Sequence, residues 1–236
     1  MSNSYFKFKQ FTIEQGDCAM KVGTDGCLLG GWFDCSQSSR ILDIGTGSGL
    51  IAIMAAQRSN ATVTGIEIDA SAARQARENA DNSPWGNRIE IINGDLLKYN
   101  PEESFDTIIS NPPYFVNSLK CDDSSRTLAR HSDSLGSDAF FEKADKLLSK
   151  NGKISIIIPC DIENEWRSSA NSYRFAPIRI AYIKTTPRKE AKRVLIEFCK
   201  GDCIKCNESI LILENKPGVY SDEAREILRD FYLKIV

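Results

Sequence analysis

The chain is short of histidine, of long apolar runs and of net charge, and each shortage removes a class of function. Its 236 residues include one histidine, His131. The eight cysteines stand at 18, 27, 35, 121, 160, 199, 203 and 206. A structural zinc site wants four ligands, usually as two spaced pairs. Cys203 and Cys206 with nearby Cys199 make only one such pair, and His131 is remote in sequence. The cysteines are therefore read as free thiols and no metal is expected. No apolar run approaches the ~20 residues of a membrane span. The first residues lack the basic, apolar, small-residue order of a secretory signal, so a cytoplasmic location is expected. A net charge of −2 argues against a nonspecific nucleic-acid binder, which is usually basic, but leaves room for a local basic patch. There is no internal repeat and no linker long enough to divide the chain. A single domain over residues 1–236 is expected, with 1–39 as an amino-terminal capping extension.

What is present centres on Asn111-Pro112-Pro113-Tyr114-Phe115. It follows an apolar, β-branched run, Phe105 to Ser110. Two prolines cannot continue a sheet ladder, because neither donates an N–H and both fix φ. A strand should stop there and leave a rigid elbow at its carboxyl end, where open α/β sheets keep their ligands. An amide, proline-linked carbonyls and an aromatic ring on that elbow suit a planar –NH2 group and the ring that carries it.

Upstream, Arg40 to Leu50 reads as buried strand, glycine turn and helix start. Gly45, Gly47 and Gly49 permit positive φ and close approach of backbone to a ligand, and the next helix aims its free N–H groups the same way. The spacing from Asp43 is D-x-G-x-G-x-G. It is neither the G-x-G-x-x-G of a dinucleotide site nor a P-loop, which needs Gly-Lys-Ser/Thr. Glu67 closes a second strand, where a carboxylate can accept from ribose hydroxyls. Asp95 closes a third and could accept from an adenine amino group, although Asn93-Gly94-Asp95 also suits a plain turn. Ile68 and Leu96, the next residues along, are counted with these acids as cofactor contacts.

Taken in order, Asp43–Gly49, Glu67, Asp95 and Asn111–Tyr114 resemble the class I S-adenosylmethionine-dependent methyltransferases that modify exocyclic amines. The segments Phe8–Ile13 and Cys18–Gly30, together with Ala129–Leu135 and the tail Asp230–Lys234, look like the bacterial tRNA1(Val) adenine N6-methyltransferases. The resemblance runs from about Phe8 to Tyr232. The glycine motif is specific only to a superfamily; Asn-Pro-Pro-Tyr narrows it to amino groups, and the amino-terminal signature narrows it to tRNA. The resemblance implies S-adenosylmethionine as cofactor and tRNA as partner, with the target adenine in the anticodon loop, 3′-adjacent to the anticodon. It makes Asn111, Pro112 and Tyr114 catalytic. It gives Asn111 a second role beside the cofactor, and sets Pro113 and Phe115 against the base. Lys21, Thr24 and Asp25 either shape the cofactor's carboxylate end or, for the latter two, cap the next helix. Arg126, Arg130, Lys192 and Arg193 are candidate phosphate contacts; Lys184, Arg188 and Lys189 lie near the last two. His131 is read as structural, because the reaction needs no strong base. A monomer is expected.

Alternating patterns give a Rossmann-like α/β fold. It has a mostly parallel seven-stranded sheet, helices on both faces and a C-terminal antiparallel hairpin. Expected strands are 40–44, 62–67, 88–93, 105–110, 152–158, 177–184 and 192–199. Expected helices are 26–32, 49–58, 70–81, 138–148, 161–172 and 221–230. The run 209–214 is expected to close a hairpin on 192–199, and 116–136 is expected to be a lid or RNA-contacting loop. Three rivals share parts of the pattern: a protein glutamine methyltransferase, an rRNA guanine N2-methyltransferase, and a non-catalytic module that kept the fold. The first usually carries a separate helical amino-terminal domain, and the intact motifs argue against the last.

Overall fold

The computed structural model describes residues 3–18, 20–113, 135–201 and 205–235. A hairpin of β1 (Tyr5–Lys7) and β2 (Thr12–Glu14) leads to helix α1 (Thr24–Trp32). Strand and helix then alternate through β3 (Arg40–Ile44), α2 (Leu50–Arg58), β4 (Thr62–Glu67), α3 (Ala70–Asp81), β5 (Ile89–Asn93) and β6 (Phe105–Ser110). After the elbow come α4 (Ser137–Leu147), β7 (Leu148–Pro159), α5 (Glu163–Ser172), β8 (Phe175–Lys184) and β9 (Arg193–Lys200). The chain closes with β10 (Asn207–Ile212), the small pair β11 (Glu214–Lys216) and β12 (Val219–Tyr220), and α6 (Asp222–Leu228).

The central sheet has eight strands in the order β10-β8-β9-β7-β6-β3-β4-β5, one more than the pattern predicted. The extra strand is β10. It does not close a hairpin on the 192–199 run, as expected from proximity, but pairs in parallel with β8. The antiparallel C-terminal hairpin is β8 with β9, and β9 inserts between β7 and β8. The apolar residues of β9 and β10 suit either pairing, so the sequence pattern does not choose between them.

Strands β3 to β7 are parallel; β3 and β6, in the middle of the sheet, are buried on both faces and read as continuous apolar runs, whereas β5 lies at the edge and is only partly buried. Ile41 and Ile109 face the core under α1 and α2, whereas Leu42, Ile44 and Ile108 face the one under α4 and α5. Helix α2 is buried from Leu50 to Ala56 because α1 covers its outer side. That contact is close: a Cβ on Gly26 would stand 3.2 Å from the Leu50 side chain, and one on Gly30 would stand 2.6 Å from the flexible end of Met54, at Sδ. The two ends of the chain meet on the same face. Phe8 stacks on Phe11 at 4.6 Å and tilts against Tyr232 at 6.0 Å, and the Lys9 N–H donates to the Phe231 carbonyl. Buried aromatics of this size stabilise by roughly 1.5–3 kcal/mol each. They explain why the amino-terminal and carboxyl-terminal signature segments occur together: they form one aromatic cluster.

Candidate active site

The site is built on the carboxyl ends of four parallel strands. Across that rim the order is β6, β3, β4, β5. The chain builds β3, β4 and β5 outward and then returns to place β6 on the other side of β3, so β3 and β6 flank a switch point.

On β3, Ile44 pairs with Ser110 of β6, and the Ser110 hydroxyl donates to the Ile44 carbonyl at 2.8 Å. One step past this pair lie Gly45 and Asn111. The glycine turn and the proline elbow, separated by more than sixty positions in the chain, are therefore neighbours. Gly45, Gly47 and Gly49 have φ of 70°, 54° and 81°, all in the left-handed region. A Cβ at Gly45 or Gly47 would meet nothing within 4 Å, so the turn borders open space. The N–H groups of Gly45 and Thr46 are held by the Ile66 carbonyl of β4. A side chain at Gly65 would strike Thr46 Oγ1 at 2.9 Å, which explains a glycine inside β4.

Asp43 is fully buried, and one carboxylate oxygen accepts from Thr46 Oγ1 at 2.7 Å. Burial pushes its pKa up to about 7; the Thr46 hydroxyl opposes the shift and the charge of Glu67 adds to it. Glu67 spans the rim. One oxygen accepts from the Gly47 N–H and the other from the Asp69 N–H, both at 3.0 Å. Asn93 on β5 locks the backbone behind it by donating to the carbonyls of Glu67 and Ile68. Asp95 caps the short turn Leu96–Lys98, with Oδ1 accepting from the Leu97 N–H at 2.9 Å and Oδ2 3.8 Å from Lys98 Nζ. Two large apolar side chains, Ile68 (71% exposed) and Leu97 (51%), stand uncovered beside these acids, while Leu96 is buried.

On the elbow, the Asn111 Oδ1 oxygen is buried and has no hydrogen-bond partner among the described residues. Pro112 is buried behind it and Pro113 is exposed. A buried carboxamide oxygen without a donor is costly, by about 1–3 kcal/mol, unless a ligand supplies one. Tyr114, Phe115, Arg126, Arg130 and His131 lie outside the described residues.

The amino-terminal extension approaches the same rim. The contact of Gly26 with Leu50 sets the start of α1 beside the start of α2, so Thr24 lies near the glycine turn. Gly23 is the N-cap of α1 and no side chain caps it, so neither Thr24 nor Asp25 serves as that cap. Asp25 instead pairs with Arg193 Nε at 2.8 Å. The Lys21 ammonium donates to the Gln15 carbonyl. Asn79, buried in α3, joins this extension to the turn. Its amide donates to the carbonyls of Glu14 and Ser48, both at 2.8 Å, and its oxygen accepts from the Glu14 N–H. Sequence reasoning missed Thr46, Asn79 and Ser110. Their only signal is a polar residue in a buried setting.

Strand β8 runs parallel to β7, so the β8–β9 loop over 185–192 also emerges on this rim. Arg188, Lys189 and Lys192 are exposed there, while Arg193 is held by Asp25. Among the described residues no cluster of three His, Cys, Asp or Glu side chains could hold a metal ion, and no helix is long and apolar enough to cross a membrane.

The donor set fits a cofactor with a nucleoside and a cationic centre. Open space borders Gly45 and Gly47, Glu67 is anchored beside it, two apolar side chains can cover a flat base, and the Asp43 carboxylate lies beneath. Comparison with known proteins agrees. Residues 20–166 match the family model described as "Methyltransferase small domain". A Bacteroides fragilis protein named tRNA1(Val) (adenine(37)-N6)-methyltransferase is 47% identical over 240 residues, covering 100% of both chains. An Aeromonas hydrophila protein of the same name is 41% identical, covering 99% of each. Among solved structures, a predicted O-methyltransferase from Agrobacterium tumefaciens superposes with a TM-score of 0.72 at 23% identity, over 90% of this chain and 99% of its own. A ribosomal protein L11 methylase from Lactobacillus delbrueckii subsp. bulgaricus gives 0.58 at 17% identity, over 80% and 84%. At such identities these two establish the shared fold.

Proposed function

Because the chain belongs to the tRNA1(Val) (adenine(37)-N6)-methyltransferase family, its reaction is methyl transfer from S-adenosylmethionine to an adenine N6 in tRNA, and we propose that the rim around Asn111 carries it. The acceptor is the adenine at position 37 of tRNA1(Val). The observation that carries this placement is the buried, unpartnered Asn111 Oδ1, one ladder step from the glycine turn.

S-adenosylmethionine supplies, when bound, a methyl group already activated by a positively charged sulfur. Gly45, Gly47 and Gly49 leave room for it, Glu67 accepts from its ribose, and Asp95 with the uncovered side chains of Ile68 and Leu97 borders its adenine, the Leu96 side chain being buried instead. Lys21 and Thr24, beside the turn, border its amino-acid end. The target base has a different need. Its amino nitrogen is planar, with the lone pair spread into the ring. Asn111 Oδ1 and the Pro112 carbonyl accept its two hydrogens and so favour a pyramidal nitrogen with its lone pair free and aimed across the rim. Tyr114 stacks on the base, worth about 1–3 kcal/mol, and Pro113 and Phe115 border it. No strong base is needed, because the alkylated nitrogen becomes acidic and loses its proton to water. Catalysis is then mainly positioning, which suits an elbow without His, Asp or Glu.

A base must leave its stack to enter, and a loop adenine does so most cheaply. Arg188, Lys189 and Lys192, exposed on the same rim, follow the RNA backbone, and Arg126 and Arg130 extend that path. Arg193 contributes by tethering α1. The enzyme works as a cytoplasmic monomer and a single domain, with residues 1–39 as its cap. The test is transfer of labelled methyl to purified unmodified tRNA followed by nucleoside analysis. N6-methyladenosine in tRNA1(Val) is the expected product. Label in ribosomal RNA or a release factor instead would keep the fold and replace the substrate.

A further inference from the structure

Lys143 is the one buried cation among the described residues, 6% exposed. It stands on the face of α4 that carries Phe140, Phe141, Ala144 and Leu147 into the core. Its ammonium crosses to the segment after β5, donating to the Leu97 carbonyl at 3.1 Å and to Asn100 Oδ1 at 3.0 Å. Both partners are neutral oxygens. A buried ammonium is costly to desolvate, and two neutral acceptors offset that less than a carboxylate does. Holding a surface turn does not require this: an apolar residue would pack on the same face.

What the ammonium holds is specific. Leu96–Lys98 is a single 3-10 turn, whose last carbonyls have no donor within the turn. A cation at that end also meets the negative pole of the turn. The opposite end is closed by Asp95, whose Oδ1 accepts from the Leu97 N–H. Lys143 and Asp95 thus grip Leu97 from its carbonyl and its amide sides. The grip fixes the direction of the Asp95 carboxylate and leaves the Leu97 side chain uncovered on the rim.

We propose that Lys143 is a positioning residue for cofactor recognition: it sets the Asp95–Leu97 turn in the one arrangement that reads adenine. The inference rests on the cofactor reading given above. Lys143 touches no reacting atom; it acts through the turn.

The test compares S-adenosylhomocysteine with the same compound carrying hypoxanthine in place of adenine, by calorimetric titration of the full chain. Wild type should prefer the adenine compound. Lys143→Met should weaken the adenine compound by about tenfold, one well-made hydrogen bond, and leave the hypoxanthine compound nearly unchanged, so that the preference collapses. Turnover at saturating cofactor and the KM for tRNA should stay near wild type. A preference ratio that does not move overturns the proposal, even if the melting temperature falls, since that is the signature of a purely structural clamp. If Lys143→Met does not fold, Asn100→Ala removes one partner from the surface side. A smaller drop in the ratio supports the proposal and an unchanged ratio overturns it. Failure of wild type to bind S-adenosylhomocysteine at all would instead remove the cofactor reading itself.

Discussion

Arg193 Nε lies 2.8 Å from Asp25 Oδ2, joining the start of β9 to the first turn of α1. The pair separates two neighbours in sequence by role. Lys192 is exposed on the rim proposed above to face RNA, while Arg193 is spent on the amino-terminal extension. Both members of the pair are partly exposed, so the bridge contributes about 1 kcal/mol or less. Arg193→Ala should lower the melting temperature by about 2–4 °C at most. Lys192→Ala should leave the melting temperature alone, weaken tRNA binding and reduce the salt slope by about one. Thermal scans and binding isotherms at several salt concentrations separate the two. An equal fall in salt slope for both variants would return Arg193 to the phosphate path.

The elbow makes a cleaner demand. On the proposed mechanism, Asn111→Ala removes the acceptor for the N6 hydrogens and touches none of the groups that anchor the glycine turn. Turnover should fall about 10²–10³-fold, the usual cost of deleting one preorganised partner of a transition state. Binding of S-adenosylhomocysteine should change little. Single-turnover kinetics with calorimetry measures both, and wild-type turnover in the variant would refute the elbow mechanism.

Much of this site was legible in the sequence because its parts are local. A glycine turn after an apolar strand, a carboxylate at a strand end and a Pro-Pro elbow each announce themselves within a few residues. The register that sets Gly45 beside Asn111 is not local: alternation of strand and helix puts both at carboxyl ends of parallel strands, but does not say that these two strands pair. What the sequence could not show is set by partners far along the chain. β10 carries a strand pattern that suits either neighbour, and in the sheet β9 is enclosed between β7 and β8, so the edge open to β10 is that of β8. Asp25 looked like a helix cap or a cofactor group and is instead half of an ion pair reaching 168 positions along the chain. Lys143 sits in an amphipathic helix where a lysine ordinarily marks the solvent face, and nothing within one turn of it reveals the 95–100 segment that it reaches.

Asp43 should leave a signature in pH. Burial raises its pKa from 3.8 to about 7 in the folded chain. The folded state therefore holds a proton that the unfolded state has already released between those values. This group's contribution to stability is fully present below about pH 4, is lost as pH rises toward 7, and is level above it. Asp43→Asn removes the titration while keeping the shape and the contact with Thr46. The variant should gain stability relative to wild type as pH rises from 4 to 7, with the difference constant above that. Chemical denaturation at a series of pH values checks this, and a difference that ignores pH would show that Asp43 is ionised throughout. On the cofactor placement proposed above, the same variant should bind S-adenosylmethionine more weakly at pH 8, where wild type would offer a carboxylate beneath the cofactor's positive charge.

Helix α1 offers a test of packing that no chemistry disturbs. Gly30 and Gly31 are adjacent, and alanine at either would raise helix propensity by about 1 kcal/mol. Their surroundings differ. A Cβ at Gly30 would press on the Met54 side chain, with Sδ at 2.6 Å, and a flexible thioether can turn away. A Cβ at Gly31 would lie 2.5 Å from the Ile227 carbonyl oxygen, which is backbone of α6 and cannot turn. Forcing α1 and α6 apart should cost about 1–3 kcal/mol, the usual range for overpacking. Gly30→Ala should therefore be close to neutral and Gly31→Ala clearly destabilising. Because α6 leads into Phe231 and Tyr232, the Gly31 variant should also loosen the aromatic cluster that holds the amino-terminal hairpin. Hydrogen exchange at Phe8 and Lys9 should quicken in Gly31→Ala and stay slow in Gly30→Ala; equal protection in the two would mean that the hairpin is held without help from α6.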